Sequence, residues 1–452
     1  MNVAIIGTGY VGLTTGVCLA FLGHKVACVD ADPKKVDSLK RGQVPFFEPH
    51  LADLVTTARG NLSYTTDYAQ VIPSAEVIFI AVGTPPGVAG APDLKYLEAA
   101  ARGIGEHLGP HFTVIVNKST VPIGSGNWVG SLVRSSTPRN GGKTASFAVA
   151  SNPEFLREGS ALLDSLYPDR VVIGTDDPRT SEVLYSLYRP LLDQTFAPPS
   201  FLPRPEGMGA VPLISTDLAS AELIKYAANA FLSLKISYIN EIGNLAEKVG
   251  ADITKVARGI GLDRRIGNRF LQAGVGWGGS CFGKDTAALI STAGEYGLEM
   301  PIVKAARDVN RKQREKVLDK LLGELKILKG RTIGILGLAF KPDTDDLRDA
   351  PAIDIACKLL ERGAIVKAHD PVAMHRFREE HPGLQVICTE TPEEVAQDAD
   401  ALVLVTEWQQ YMQLDWEAVA ATMRSAILVD GRNVLDRERI RRSGFRYVGL
   451  AG

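Results

Sequence analysis

Short apolar runs alternate with longer stretches of helical spacing along both halves of the chain. In the first half these runs predict β-strands at residues 2–6, 25–29, 77–82, 114–117 and 147–150. In the second half they predict strands at residues 332–336, 365–368, 401–405 and 427–429. Apolar strands that alternate with helices are typical of parallel sheets covered on both faces. The pattern therefore predicts an α/β protein with two Rossmann-like, doubly wound domains joined by a long central helix.

The predicted central helix lies between these two halves. It begins near Asp217, a residue suited to cap a helix, and ends before Gly250. The proline-rich residues 193–215 precede it, and we interpret them as the linker that leaves the first domain. A further charged helix is predicted at residues 308–328. We expect three domains, at residues 1–200, 201–320 and 321–452.

A glycine-rich turn follows the first predicted strand and opens a helix. It contains Gly7, Gly9, Tyr10, Val11 and Gly12. This GxGxxG spacing lets the backbone approach a pyrophosphate, which the N-terminus of the helix attracts. The second strand ends at Asp30, whose carboxylate can bind the ribose hydroxyls of NAD and would repel the 2′-phosphate of NADP. Lys35 would suit NADP better, but Asp30 favours NAD as the cofactor.

Polar residues follow the next three apolar strands. Thr84, Thr120 and Glu154 each come shortly after a strand end. Ligands of open α/β sheets bind at the carboxyl edge of the strands. One such residue is more simply a turn or a helix cap, but three in one domain indicate a binding site.

Residues 274–285, GVGWGGSCFGKD, combine four glycines at residues 274–279 with Cys281 and the pair Lys284 and Asp285. Glycine loses the most backbone entropy on folding, so we expect these glycines where the backbone passes close to a ligand. Upstream on the central helix, Lys225 and Asn229 are four residues apart and share one face. This pattern favours a site built around Cys281.

The second half lacks the glycine triplet after its first strand. Phe340 and Lys341 stand there instead, and Arg432 follows a later strand. Lysine and arginine at strand ends suit anionic phosphates. The second domain is therefore predicted to hold a phosphate-bearing ligand other than NAD.

Composition excludes several classes of protein. The net charge of −2 and the absence of an apolar run long enough to span a bilayer give no indication of nucleic acid or membrane as a partner. Five widely spaced cysteines fit neither a disulfide framework nor a metal site, so we expect a cytoplasmic protein. The seven histidines form no pattern of metal ligands, and we expect no metal.

A cysteine beside a nicotinamide site has a specific use in oxidation. Its thiolate can add to an aldehyde, and the thiohemiacetal can lose hydride to NAD, which leaves a thioester. A nearby cation or helix N-terminus is needed to favour the thiolate. Lys284 or Lys225 could provide that charge.

The chain resembles the UDP-glucose/GDP-mannose dehydrogenase family over essentially its full length. The motifs that carry the resemblance are GTGYVGL (7–13), VGTP (82–85), KSTVP (118–122), NPEFLREG (152–159), ELIKYAANAF (222–231), RIGNRF (265–270), GWGGSCFGKD (276–285), LAFKPDTDDLR (338–348) and DGRN (430–433). The SCFxKD and PDR (168–170) motifs resemble the branch of the family that acts on UDP-glucose.

The resemblance implies a four-electron oxidation of UDP-glucose to UDP-glucuronate with two NAD. It implies that Cys281 is the nucleophile that holds first the aldehyde and then the thioester. Lys225 and Asn229 would stabilise the oxyanion, and Thr120 and Asp285 would orient a water. Glu154 would assist thioester hydrolysis as an acid/base.

The resemblance also implies binding roles. The cofactor contacts would include Thr84, Thr120, Glu158, Lys284 and Arg348 besides the glycine-rich turn, Asp30 and Lys35. The substrate contacts would be Glu154, Phe155, Leu156, Glu158, Lys225, Asn229, Arg265, Phe270, Gly276, Phe340, Lys341 and Arg432. The family pairs its subunits so that the arginine matching Arg265 enters the neighbouring site, which implies a homodimer.

Other hypotheses remain at this point. The same chemistry could act on GDP-mannose or a UDP-N-acetylhexosamine, because Gln272 and Gly283 depart from the family pattern near the sugar. A two-electron 3-hydroxyacid-type dehydrogenase would share the NAD domain but would not use Cys281. A non-catalytic NAD-binding sensor would bind the ligands without producing NADH.

Overall fold

The computed structural model describes residues 1–85, 87, 90–138 and 145–451. The chain forms two compact units. The first contains Met1–Ala228 and Ala287–Tyr296, and the second contains Asn229–Thr286 and Gly297–Gly452. Within the described ranges, no helix is both long and apolar enough to cross a membrane.

The first unit contains an eight-stranded sheet. Its strands are β1 (Asn2–Ile6), β2 (Lys25–Val29), β3 (Leu62–Thr65), β4 (Val77–Ile80), β5 (Thr113–Asn117), β6 (Phe147–Ser151), β7 (Val171–Gly174) and β8 (Leu213–Thr216). Their order is β3-β2-β1-β4-β5-β6-β7-β8, and every neighbouring pair is parallel except β6 and β7. The first six strands have the order of a doubly wound dinucleotide-binding sheet.

Helices cover both faces of this sheet. They are α1 (Tyr10–Phe21), α2 (Pro33–Lys40), α3 (Leu51–Ala58), α4 (Lys95–His107), α5 (Ser125–Ser136), α6 (Ala161–Leu166) and α7 (Pro178–Leu192). Alternate residues of one strand enter different cores: Val3 and Ile5 pack in one, whereas Ala4 and Ile6 pack in the other. Burial on both faces explains why these strands read as continuous apolar runs.

The interpretation of residues 193–215 as a linker that leaves the first domain is wrong. Val211 is buried in the core of the first sheet, and β8 pairs with β7 in register. Prolines identify irregular backbone, but they do not tell whether the chain returns to a sheet afterwards. The chain leaves the first sheet only after Thr216.

The predicted central helix is present as α8 (Leu218–Val249). The carboxylate of Asp217 accepts a hydrogen bond from the backbone N–H of Ser220 at 2.8 Å, which confirms the predicted cap. One turn further on, buried Glu222 accepts from the backbone N–H groups of Gly124 and Gly126 at 2.6 and 2.9 Å. These bonds fix the start of α8 against the N-terminal end of α5.

The second unit contains further helices and a six-stranded parallel sheet. The helices are α9 (Ile253–Gly261), α10 (Phe282–Glu295), α11 (Pro301–Leu325), α12 (Pro351–Glu361), α13 (Met374–Glu380), α14 (Pro392–Ala396), α15 (Gln409–Met412), α16 (Trp416–Thr422) and α17 (Arg437–Arg442); the part of α10 from Ala287 belongs to the first unit. The strands are β9 (Thr332–Leu336), β10 (Ile365–His369), β11 (Val386–Cys388), β12 (Ala401–Leu404), β13 (Ile427–Asp430) and β14 (Arg446–Gly449).

The order of the second sheet is β11-β10-β9-β12-β13-β14, which repeats the order of the first six strands of the first sheet. The predicted second Rossmann-like unit is therefore confirmed, and so is the fold class. The helix predicted at residues 308–328 is α11, Pro301–Leu325. It starts earlier than predicted, at a proline, which is well tolerated in the first helical turn.

The cysteine loop is the segment at residues 274–281, and its four glycines are explained by packing, contrary to our expectation of a close ligand. A Cβ at Gly274 would lie 2.6 Å from the carbonyl oxygen of Gly431, and one at Gly279 would lie 2.7 Å from the ring of Phe340. A Cβ at Gly276 would collide with the side-chain oxygen of Asn310, and one at Gly278 with the carbonyl of Asp349. Protein atoms that are distant in sequence occupy the space beside all four, which local composition does not reveal.

The side chain of Asn310 is the closest of these neighbours. Its amide accepts from the backbone N–H of Trp277 at 2.8 Å and donates to the carbonyl of the same residue at 2.9 Å. Gly276 also has a φ of 95°, in the left-handed region that favours glycine. The loop that carries Cys281 is therefore fixed by a side chain of α11.

We predict that Gly276→Ala lowers the free energy of unfolding of the second unit by about 2–3 kcal/mol, because it adds both backbone strain and a collision with Asn310. The measurement is urea unfolding followed by tryptophan fluorescence. The matched control is Gly323→Ala in α11, where a Cβ meets no described atom within 4 Å. That change should raise stability by about 0.5–1 kcal/mol. Equal effects at the two positions would contradict the packing explanation.

Candidate active site

The glycine-rich turn lies between β1 and α1 as predicted. Gly7 has a φ of 96°, and a Cβ there would lie 2.7 Å from the carbonyl oxygen of Ala81, just after β4. A Cβ on Gly12 would collide with the carbonyl of Gly7, whereas one on Gly9 would meet no described atom within 4 Å. The first and third glycines thus serve the turn and its packing, and the second leaves open space for a pyrophosphate. These residues fit NAD.

Asp30 follows β2 and contacts the same turn. It accepts hydrogen bonds from the backbone N–H and the hydroxyl of Thr8 at 2.8 and 2.6 Å, and from Lys35 at 3.2 Å. Burial raises the pKa of Asp30, but the hydrogen bonds from Thr8 and Asp32 and the charge of Lys35 outweigh it, so the pKa lies below its ordinary value. Asp30 is therefore an anion beside the turn, and Lys35 is its ion-pair partner.

Glu48 is a buried carboxylate that sequence reasoning missed. It accepts hydrogen bonds from the hydroxyl of Tyr10 and from the backbone N–H groups of Gly159 and Ala161, the last two at 2.6 and 2.7 Å. Burial raises the pKa of Glu48. The charge of Glu158 contributes to a raised pKa of Tyr10, after burial and Glu48. Glu48 thus joins the glycine-rich turn to the loop that carries Glu154 and Glu158.

Glu154 and Lys225 form a buried ion pair in the first unit. Their side chains approach to 2.7 Å and are about 6% and 5% exposed. Burial raises the pKa of Glu154, but the charge and hydrogen bond of Lys225 outweigh it and leave the pKa below its ordinary value. Glu154 also accepts from the backbone N–H of Leu156 at 2.7 Å. Phe155 lies beneath the guanidinium of Arg170, 3.6 Å from it.

Thr84 and Thr120 meet at the carboxyl edge of the first sheet. The Thr84 hydroxyl donates to the Thr120 carbonyl at 2.8 Å. Thr120 lines a small cleft with Lys118, Glu222 and Lys225. The strand ends singled out in the sequence therefore do lie together in the first unit.

In the second unit, Cys281 directly precedes α10. Its carbonyl accepts from the backbone N–H of Asp285 at 2.8 Å, so Cys281 occupies the N-cap position. The positive end of the helix dipole favours negative charge at this position. The sequence predicted a loop here and left open whether a helix end or a lysine would supply the positive charge.

Asp285 is the centre of the polar cluster next to Cys281. It is fully buried, accepts from the amide of Asn229 at 2.6 Å, and pairs with Lys284 at 2.5 Å. Asn229 lies on α8 in the second unit, one helical turn after Lys225, which belongs to the first unit. The structure therefore brings together Asn229, Lys284 and Asp285 of the predicted residues.

Asp370, which follows β10, corresponds in position to Asp30 after β2. It accepts from the backbone N–H groups of Leu338 and Ala339 at 2.8 and 2.9 Å and from the indole of Trp408 at 3.1 Å. Asp370 is 1% exposed. Protein donors therefore hold the Asp370 carboxylate in the interior of the second unit.

The candidate substrate residues of the second unit lie at strand ends and in loops. Phe340 and Lys341 follow β9, with the Lys341 ammonium 5.6 Å from the Phe340 ring centre. Arg432 follows β13 and donates to the carbonyls of Val405, Gly276 and Phe340 at 2.6, 3.2 and 3.1 Å. Arg432 therefore holds the cysteine loop against the second sheet.

Three further predicted residues lie in loops of the same unit. Phe270 has a φ of 64°, a strained value for an aromatic residue, and its ring is 6.3 Å from that of Phe282. Arg348 pairs with Asp346 at 2.7 Å. The side chain of Arg265 is 88% exposed and pairs only locally, with Asp263 at 2.6 Å, among the contacts described for it.

Among the described residues, no group of three or more histidine, cysteine or acidic side chains is arranged to hold a metal ion.

Comparison with known proteins identifies the family. Three domains of the UDP-glucose/GDP-mannose dehydrogenase family match the chain: the NAD binding domain at residues 1–192, the central domain at 219–312 and the UDP binding domain at 334–437. Along the chain, the three matches fall in turn on the first sheet, the central helix α8 and the second sheet.

Relatives match along the whole chain. A UDP-glucose 6-dehydrogenase of Rhizobium meliloti is 45% identical, with 100% of this chain and 99% of the relative covered. UDP-glucose 6-dehydrogenase TuaD of Bacillus subtilis is 44% identical, with 99% and 93% covered. The structure of a UDP-glucose dehydrogenase from the archaeon Pyrobaculum islandicum matches with a TM-score of 0.88 and 39% identity over 99% of this chain and 97% of that one. The chain belongs to the UDP-glucose/GDP-mannose dehydrogenase family.

Proposed function

We propose that this chain is an NAD-dependent UDP-glucose 6-dehydrogenase. It converts UDP-glucose, two NAD and one water to UDP-glucuronate and two NADH. The observation that carries the proposal is Cys281 at the N-terminus of α10, beside the buried Asn229–Asp285–Lys284 cluster, in a chain with one dinucleotide turn. Full-length relatives at 44–45% identity that carry this name support the choice of substrate.

The proposed domain roles follow the order of the chain. Residues 1–200 bind NAD, residues 201–320 carry the catalytic cysteine and the central helix, and residues 321–452 bind the UDP moiety. NAD supplies the hydride acceptor when it is bound at the turn formed by Gly7, Gly9 and Gly12. We place the enzyme in the cytoplasm, where its thiols stay reduced.

In the first oxidation, the C6 hydroxyl loses a proton and C6 loses hydride. Thr120 and Asp285 orient a water that takes the proton. Asp285 suits this role because Asn229 and Lys284 hold its carboxylate in a fixed position. The product is an aldehyde at C6.

In the second oxidation, the Cys281 thiolate adds to the aldehyde carbon and forms a thiohemiacetal. Lys225 and Asn229 donate to the oxyanion, and loss of one such donor typically costs about 3–4 kcal/mol of transition-state stabilisation. Loss of hydride from C6 then gives a thioester on Cys281. The covalent bond retains the sugar while one nicotinamide nucleotide replaces another at the single dinucleotide turn.

Hydrolysis completes the reaction. Glu154 takes one proton from the attacking water, and the thioester C–S bond breaks to return the Cys281 thiolate. The C6 carboxyl group then releases the second proton of the water to solvent and becomes the carboxylate. The buried ion pair with Lys225 keeps Glu154 ionised and therefore able to accept a proton.

The remaining proposed substrate contacts follow the resemblance to the family. Phe155, Leu156 and Glu158 contact the sugar nucleotide from the loop after β6. In the second unit the contacts come from Phe270, Gly276, Phe340, Lys341 and Arg432. Arg348 and Lys284 approach NAD.

The oxidation chemistry is tested by stoichiometry and by one variant. We predict two NADH per UDP-glucose consumed, and for Cys281→Ser a block of the second oxidation with UDP-glucose binding retained, because serine lacks the thiolate. The measurements are NADH absorbance and calorimetric titration of the nucleotide sugar. The matched control is Cys357→Ser, since Cys357 lies on α12 away from the cysteine loop. Two NADH per sugar from Cys281→Ser would refute the thioester.

A substrate panel separates the alternatives. UDP-glucose, GDP-mannose and a UDP-N-acetylhexosamine are compared under the same conditions. Turnover of GDP-mannose but not of UDP-glucose would overturn the choice of substrate. One NADH per substrate would favour a two-electron dehydrogenase, and binding without any NADH would favour a sensor.

We also propose that the protein is a homodimer built on α8. Three large apolar side chains spaced seven residues apart form one exposed stripe in the second unit: Phe231, Tyr238 and Leu245 are 61%, 51% and 59% exposed. Exposed Arg265 is proposed to reach the neighbouring active site from this pairing.

Replacing two residues of the stripe tests the dimer. We expect the double variant Phe231→Glu, Tyr238→Glu to sediment as a monomer, because two buried unpaired charges would oppose association. The control is Tyr296→Glu, which changes an aromatic residue that is 73% exposed elsewhere. A monomeric wild-type protein, or a double variant that remains dimeric, would disprove the assignment of the interface.

A further inference from the structure

Lys118 is a buried lysine next to the candidate acid/base Glu154, and the roles assigned so far do not use it. It follows β5 and is 8% exposed. Its ammonium donates to the side-chain oxygen of Asn152 at 2.8 Å. Asn152 is otherwise held by its backbone N–H, which donates to Asn117, and by its amide, which donates to Val172 at 2.7 Å. Lys118 therefore fixes the chain two residues before Glu154.

Two cavities of the first unit share Lys118 as part of their wall. One is lined by Glu154, Asn152 and residues of α1, and the other by Thr120, Glu222 and Lys225. Lys118 therefore borders the surroundings of both Glu154 and Lys225. Lysine is rarely buried to this extent without a role for its charge.

The charges of the three side chains are linked. Burial lowers the pKa of Lys118 to about 8; the charge of Glu154 opposes this effect and that of Lys225 adds to it. The charge of Lys118 is also one of the causes that hold the pKa of Glu154 low, after the charge and hydrogen bond of Lys225 and the Leu156 N–H. The charges of Lys118 and Lys225 therefore both act on the Glu154 carboxylate.

We infer that Lys118 is a positioning residue for Glu154: its ammonium keeps Glu154 a carboxylate, and its bond to Asn152 places that carboxylate. The inference rests on the proposed role of Glu154 in thioester hydrolysis. Loss of the Lys118 proton leaves Lys225 as the sole cation of this group, and Glu154 then becomes more basic.

Other titratable groups face Lys118 from the neighbouring elements. Cys18 on α1 has a pKa that burial raises to about 12, and burial also raises the pKa of Tyr188 on α7. Arg170 and Asp164 line the larger cavity. Because Cys18 and Tyr188 are neutral at pH 8, a transition near that pH is assigned to Lys118.

Tyr188 offers a matched control. Its hydroxyl donates to the same oxygen of Asn152 at 2.6 Å, so Tyr188→Phe removes a hydrogen bond from Asn152 and leaves the charge of Lys118 in place. Lys118→Met removes the charge and keeps an unbranched side chain. Lys118→Arg keeps a charge that does not titrate in this range.

The experiment measures kcat against pH for the second half-reaction, from the UDP-sugar aldehyde to UDP-glucuronate. The fall of kcat at low pH, the acid limb of the profile, reports protonation of Glu154. In Lys118→Met we expect this limb to move about one pH unit higher, because one of two cations beside Glu154 is lost. The inflection near pH 8 should disappear in both Lys118 variants, while Lys118→Arg keeps the acid limb of the wild type. Tyr188→Phe should retain the whole wild-type profile.

A second measurement does not need activity. Infrared difference spectra of protein with 13C-labelled glutamate, with Glu154→Gln subtracted, report the pKa of Glu154 directly, and Lys118→Met should raise it. An unchanged Glu154 pKa, or a Tyr188→Phe profile like that of Lys118→Met, would overturn the inference. Failure of the wild type to oxidise UDP-glucose would instead refute the proposed function, and the infrared result would still decide the role of Lys118.

Discussion

The constraint on which the account depends is that two oxidations must share one dinucleotide turn. The first sheet keeps open space at Gly9 beside an ionised Asp30. The second sheet repeats the order of the first six strands, but Phe340 and Lys341 stand where the first sheet has its glycine triplet. In the proposed reaction the cofactor is exchanged at this turn between the two steps, and the proposed covalent bond through Cys281 would prevent loss of the aldehyde meanwhile.

Buried or half-buried carboxylates with lysine partners recur among the candidate site residues. Asp30, Glu154 and Asp285 pair with Lys35, Lys225 and Lys284 at 3.2, 2.7 and 2.5 Å. Burying a charge is unfavourable unless a partner and hydrogen bonds compensate it. For Asp30 and Glu154 the lysine and the hydrogen bonds keep the pKa of the carboxyl below its ordinary value, so each is available as an anion. Lys118 adds a second cation beside Glu154.

Much of the fold was predictable because local sequence determines it. The apolar strands, the glycine-rich turn, Asp30 and the cap at Asp217 follow rules that act over a few residues. The path of residues 193–215 was not predictable, because it depends on the pairing of β8 with β7. The glycines around Trp277 were misinterpreted for the same reason: their neighbours, Asn310, Phe340, Asp349 and Gly431, are distant in sequence. Glu48 and Lys118 were missed because only tertiary contacts distinguish a buried carboxylate or ammonium from a surface one.

The most direct test of the account is to look for the sugar on the cysteine. Protein mixed with UDP-glucose and NAD is quenched in acid within the first turnover, digested, and analysed by mass spectrometry. The account predicts a UDP-sugar adduct on the peptide that contains Cys281, which forms after the first NADH and disappears as UDP-glucuronate is released. Complete conversion to UDP-glucuronate with no adduct on Cys281 at any time would contradict it.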